Sequence, residues 1–125
     1  MALGALMSFV STAHPEKALA FYQGPLGLHL VADEPFALVF DVQGAMLRVT
    51  KAPPFTPHPF TVLGFLVDDL PHECERLIAR GVTFERYPHF QQDAHGIWTS
   101  PSGARIAWFK DPDGNILSLT EFAAP

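Results

Sequence analysis

The chain repeats itself. Its hydrophobic periodicity runs strand, helix, three strands, and then the same order again. The halves meet at Ala52–Pro59 (APPFTPHP), where four of eight residues are proline. Proline removes ladder donors and favours extended linkers, so this segment is the expected boundary between two modules of a single domain, 1–125. A period of about 55–60 residues marks one supersecondary unit used twice. The predicted bounds are 5–51 for module one, 52–59 for the linker and 60–122 for module two.

In the first copy, Ala5–Val10 reads as a strand. Pro15 opens a helix, where its missing N–H costs nothing, and Ala18, Leu19, Tyr22 and Leu26 share one face. Gly24-Pro25 and Gly27 end it. Strands follow at Leu28–Ala32, Phe36–Val42 and Ala45–Lys51, the last two joined by a turn at Gln43-Gly44. In the second copy, Phe60–Val67 is a strand and Asp69 caps a helix with Leu70, Cys74, Leu77 and Ile78 on its apolar face. Glu73 and Glu75 early and Arg80 late suit the helix dipole, and Gly81 stops it. Strands are predicted at Val82–Tyr87, Ala104–Lys110 and Asn115–Glu121, with Asp111-Pro112-Asp113-Gly114 as the final turn. The polar stretch Gln91–Gly103 reads as a lid or surface loop.

Composition removes several classes of function. Hydrophobic residues make up 48% and charged residues 17%, which excludes a disordered acidic chain. The net charge of −5 and the absence of a Lys/Arg cluster argue against nucleic acid as partner. No apolar run reaches the roughly 20 residues of a membrane span, and Met1–Val10 lacks the basic flank of a signal peptide. A single cysteine, Cys74, allows no internal disulfide and no multi-cysteine zinc site, and fits a reducing, cytoplasmic setting.

Phe36–Phe40 and Val62–Val67 are apolar on both faces, so both sides of those strands need cover. The helices cover one. A ligand cavity, or a thick core with a dimer interface, covers the other.

The doubled order, the Phe21-Tyr22 helix end before Pro25-Leu26-Gly27-Leu28, and the closing Trp108–Leu117 (WFKDPDGNIL) together resemble the vicinal oxygen chelate superfamily. That group holds glyoxalase I, bleomycin-resistance proteins, fosfomycin-resistance transferases and extradiol dioxygenases. Phe84–Tyr87, Gln92-Asp93 and Gly96-Ile97 also resemble a bacterial subgroup with no assigned reaction. The resemblance implies an α+β fold of two βαβββ modules forming a cup-shaped half-barrel. It implies a fold more than a reaction, because sites are grafted on folds.

Metal-dependent members carry His, Glu or Gln ligands on the first and last strands of each module. The corresponding positions here are Met7, Arg48, Val62 and Ser118. Sliding each by one or two residues yields no His, Asp or Glu, so the expectation is no metal and no cofactor. A loop-built set of His89, Asp93 and His95 is the alternative, and it lacks a rigid frame.

Candidate ligand-binding residues are Arg48, Trp108, Ser118, Trp98 and Met7. Arg48 is the lone charge on an apolar strand. It suits a carboxylate, phosphate or enolate, the competing account being a structural ion pair or an exposed edge. Trp108 pairs across the hairpin with Ser118 and offers an aromatic wall or core packing. Trp98 closes over a ligand or staples its loop. His95, near His89 and Gln92, is the candidate acid/base; a solvated loop histidine is the competing account. Tyr22 and Cys74 read as core. Four functions follow: a metal-free binder of a small organic molecule, a metal-independent enzyme using Arg48 and His95, a metal-dependent lyase or dioxygenase, and an interaction module whose cup is filled by its own side chains. The expected partners are a small-molecule ligand and, by twofold closure, a second copy of the chain as homodimer.

Overall fold

Each half closes by pairing its first strand with its last, in parallel. The computed structural model describes residues 2–124, and the chain divides into two units, Met1–Pro57 and His58–Pro125.

Unit 1 contains β1 (Met7–Thr12), α1 (Pro15–Gln23), β2 (His29–Asp33), β3 (Ala37–Val42) and β4 (Ala45–Lys51). Its sheet runs β1-β4-β3-β2. The β3–β4 hairpin turns at Gln43 and Gly44, whose φ values of 52° and 86° are the left-handed pair a two-residue hairpin demands. One face of the sheet buries Val10, Leu38, Phe40, Leu47 and Val49 together with Ala18 and Tyr22 of α1. The Tyr22 and Phe40 rings lie 5.9 Å apart. Burying a side chain of that size contributes about 1.5–3 kcal/mol.

Unit 2 contains β5 (Thr61–Leu66), α2 (Leu70–Ala79), β6 (Trp98–Thr99), β7 (Arg105–Lys110) and β8 (Ile116–Glu121), in sheet order β5-β8-β7-β6. Ala107, Phe109, Leu117 and Leu119 are buried, as are Leu70, Cys74 and Leu77 of α2. The helix is capped twice. Asp69 Oδ1 accepts from the His72 amide at 3.1 Å, and Glu121 Oε1, from the end of β8, accepts from the Leu70 amide at 2.9 Å. Glu121 also receives Arg105, at 3.0 and 2.5 Å. The Leu70 amide first and Arg105 second hold its carboxyl below the ordinary carboxylate range. Asp111 Oδ1 accepts from the amides of Asp113 and Asn115, which shapes the β7–β8 turn. Burial, then the charges of Asp93, Glu73 and Glu75, push the Cys74 thiol up to about 12. No helix among the described residues is long and apolar enough to cross a membrane.

The α+β architecture of two βαβββ units is as expected, and several elements differ in detail. Val82–Tyr87 is not a strand. It makes a lone bridge, Phe84 to Phe109, plus a Glu85 amide bond to the Trp108 carbonyl at 2.7 Å. The edge strand beside β7 is instead Trp98–Thr99, inside the predicted loop. The reason is a side chain within the segment: Gln92 takes up the backbone groups of residues 85, 87 and 96 that a longer ladder would otherwise pair. The first strand begins at Met7 rather than Ala5, and Leu3 and Leu6 are exposed. Ile78 lies off the buried stripe of α2. β3 is buried on both faces over Ala37–Phe40, whereas β5 leaves Leu66 exposed.

Candidate ligand-binding site

Strand alternation sends Trp108, Ser118 and Trp98 to the face of sheet β5-β8-β7-β6 opposite the buried Phe109 and Leu117. Trp108 pairs directly with Ser118, and Trp98 with Ile106, two residues before Trp108. The two indoles lie 6.2 Å apart. Two residues that the sequence reading passed over join them. Phe90 stacks on Trp98 at 4.6 Å and on Trp108 at 5.3 Å. Tyr87 meets Trp108 edge-on at 5.5 Å. These four rings form one aromatic surface, and all are half-buried. Ser118 lies opposite Trp108 on β8 and is buried, with its Oγ against Gly64 of β5. Burial first, and then the charge of Glu85, raises the Tyr87 phenol above its ordinary range, so it stays a neutral donor and acceptor.

The loop that carries Tyr87 and Phe90 is built on side-chain hydrogen bonds. Gln92 Oε1 accepts from the Tyr87 amide at 2.7 Å, and its Nε2 donates to the carbonyls of Glu85 and Gly96 at 2.9 and 2.7 Å. Asp93 Oδ1 accepts from the amides of His95 and Ile97, both at 2.9 Å. Gly96 adopts φ +93° and would bring a Cβ within 3.1 Å of the Phe84 Cβ, so a side chain there is strained by the backbone and tightly packed. Phe84, Tyr87 and Phe90 at three-residue spacing, followed by Trp98, are the available signal for this surface; its assembly depends on Gln92, which has no sequence signature.

His95 goes elsewhere. Its Nε2 lies 3.3 Å from Glu75 Oε1 on α2, and Asp93 beside it is close enough to act on the buried Cys74. It therefore faces the helix side of the unit, away from the indoles. His89 packs against Phe90 at 4.4 Å and Tyr87 at 6.1 Å.

In unit 1, Met7 and Arg48 share the sheet face opposite Phe40 and Val49. Met7 pairs with Met46, and Arg48 lies between Phe9 and Val39. Met7, Phe9 and Met46 are exposed there. The Arg48 guanidinium reaches Glu34 at 3.8 Å, a loose ion pair that leaves the side chain about a quarter open. A concavity of about 540 Å³ opens in this unit beside the start of α1, lined by His14, Glu16, Lys17, Asp33 and Lys51 among others. Its Lys51 is already paired with Asp33 at 2.6 Å, and no Phe, Tyr or Trp ring lines it, so it lacks the stacking chemistry of the aromatic face.

The metal positions inferred from the sequence hold a thioether at Met7, a guanidinium at Arg48, an isopropyl group at Val62 and a hydroxyl at Ser118. A hard divalent cation wants several carboxylate, imidazole or carbonyl donors, and a guanidinium repels it. These residues do not fit a metal. Among the described residues no three His, Cys, Asp or Glu side chains cluster to offer another site.

Residues 4–119 match the sequence profile of the Glyoxalase/Bleomycin resistance protein/Dioxygenase superfamily. No curated protein sequence matches the chain. Among solved structures, it is similar to TnmS3, an antibiotic binding protein from Streptomyces sp. CB03234, with 29% identity, a TM-score of 0.76 and coverage of 98% of this chain and 99% of that one. It is similar in fold to the lactoylglutathione lyase of Agrobacterium tumefaciens, at 20% identity, TM-score 0.71 and coverage of 94% and 92%. The genomically encoded fosfomycin resistance protein FosX of Listeria monocytogenes gives 15% identity, TM-score 0.73 and coverage of 98% and 96%.

Proposed function

The chain belongs to the Glyoxalase/Bleomycin resistance protein/Dioxygenase superfamily, and on that premise we propose that it binds a small planar organic molecule on the aromatic face of unit 2, without a metal. The observation that carries this reading is the placement of Trp98 and Trp108 beside each other on a sheet face, half-buried, with Phe90 stacked on both and Tyr87 and Ser118 beside Trp108. Indole faces stack well on flat ligands, and a few polar groups at the edge orient them. The antibiotic-binding activity of TnmS3 supports a ligand of that size class.

Binding alone requires no nucleophile, base or cation. An acid/base role for His95 draws no support from a side chain tied to Glu75 on the helix side. Arg48, with Met7 on the same face of unit 1, is a second anchor in this reading, for a carboxylate or phosphate strong enough to displace Glu34. The exposed Met7, Phe9 and Met46 support pairing of two copies. The lone buried cysteine fits action in the cytoplasm.

The test is a tryptophan-quenching titration with 9-aminoacridine and 1-naphthoic acid. Both should bind, and Trp98→Ala or Trp108→Ala should weaken binding about tenfold, the usual scale for losing one stacking surface. Absence of quenching by either probe, or quenching unaltered in both variants, would remove the proposal. Sedimentation as a monomer would remove the paired state.

A further inference from the structure

We infer that Phe90 is an internal occupant of the aromatic slot: its ring stands where a planar ligand would lie and turns aside to admit one. The inference rests on the aromatic face being the ligand platform, and it concerns how that platform is controlled and which ligands it accepts.

The ring geometry sets Phe90 apart. Its plane is 12° from that of Trp108 and 24° from that of Trp98, so one ring lies nearly parallel to both indoles. Tyr87, by contrast, meets Trp108 at 83° and Phe90 at 89°, the edge-on contacts of a wall. A near-parallel ring over two indoles is the arrangement a flat aromatic ligand adopts there.

The attachment of Phe90 also differs from that of its neighbours. Trp98 and Trp108 sit on β6 and β7, held by the ladder. Phe90 extends from a turn whose amide donates to the Tyr87 carbonyl at 3.0 Å. The turn is fixed on both sides by Gln92, which holds Tyr87, Glu85 and Gly96. Rotation of the Phe90 side chain about χ1 therefore breaks no hydrogen bond and moves no strand. Its neighbour His89, 4.4 Å away, is exposed. Rotamer exchange of a half-exposed side chain is fast on the scale of ligand encounter.

Two consequences follow. The slot is open for only a fraction of the time, and apparent affinity falls by that fraction. A ligand must also stack better than one benzene ring to take its place, which selects fused polycyclic aromatics over single rings.

The experiment compares wild type, Phe90→Ala and Phe90→Leu by tryptophan quenching with 9-aminoacridine and with benzoic acid. If the slot is closed about nine-tenths of the time, Phe90→Ala binds 9-aminoacridine about tenfold more tightly. Phe90→Leu, which keeps apolar cover without a ring, should fall between, and the preference for the polycyclic probe over benzoic acid should narrow. Near-ultraviolet circular dichroism of the indoles checks that the variants keep the fold. Weaker or unchanged binding in Phe90→Ala, with wild type binding normally, overturns the gate and leaves the platform standing. If neither wild type nor any variant binds a probe, the platform fails and the gate fails with it.

Discussion

The two units share one order of elements and part company after the helix. In unit 1 the chain leaves α1 at Gln23 and is already in β2 at His29. In unit 2 it leaves α2 at Ala79 and reaches β6 only at Trp98, a strand of two residues. The edge that unit 1 fills with the five-residue β2 is filled in unit 2 by the two-residue β6 and a loop whose backbone groups are satisfied by Gln92 and Asp93 side chains. That exchange releases Tyr87, His89 and Phe90 from ladder geometry and lets them gather around the indoles. A repeated scaffold has become a candidate site where one copy gave up a strand. The helices differ in the same sense: α1 has His14 at its N-cap with no side-chain cap bond, while α2 is capped by Asp69 and by Glu121 from the far strand.

The largest effect expected is in the cores. Phe40→Ala in unit 1 and Phe109→Ala in unit 2 should each cost about 3–5 kcal/mol in urea unfolding. Both tryptophans lie in unit 2, so fluorescence follows that unit and far-ultraviolet dichroism follows both. If the two variants shift the two signals identically, the units unfold as one and the comparison dissolves.

A smaller loss, about 1–3 kcal/mol, is expected for Gln92→Ala, which leaves one amide and two carbonyls without their partner. Near-ultraviolet dichroism of the indoles should fall with it while the far-ultraviolet signal persists. An unchanged indole signal would show that the loop holds its shape without Gln92.

Asp69→Ala should cost about 1 kcal/mol, and His14→Ala less than about 0.5 kcal/mol, since only the former removes a cap. Equal effects in urea midpoints would erase the difference between the helices. The Glu121 cap adds a pH dependence. Its folded pKa is lowered, so the folded form binds fewer protons than the unfolded chain. The stabilisation is complete above the ordinary carboxylate range and is lost as pH falls through the folded value. Glu121→Gln should lower the urea midpoint at neutral pH and flatten its acid decline. A decline as steep as that of wild type would assign the acid sensitivity to another group.

The parts of this fold that were legible in the sequence rest on local chemistry. Asp69 followed by a proline-led helix, the Gln43-Gly44 turn and the Asp111–Gly114 turn each act over a few residues, and each was readable. So was the facing of Trp108 and Ser118, because a tight turn fixes register. Val82–Tyr87 misled because its pattern is strand-like, while its fate is decided by a glutamine five residues beyond Tyr87. Phe90 is not legible for a different reason: its placement depends on two indoles that only the sheet brings near it. Arg48 was readable as a charge on an apolar strand, but its partner Glu34 comes from a turn whose geometry the sequence does not specify.

The parallel pairing of first strand to last has a consequence for biosynthesis. In each unit the opening strand has the closing strand as its sheet neighbour, so neither sheet is complete until its last segment has been made. On a ribosome, unit 1 gains its closing strand once Lys51 has emerged, while Thr61–Leu66 waits for Ile116–Glu121 with its apolar side chains unmatched. Non-local closure of this kind is slow and leaves an aggregation-prone edge in the interval. During synthesis the stretch that waits longest for its sheet neighbour is therefore in the half that carries the indoles.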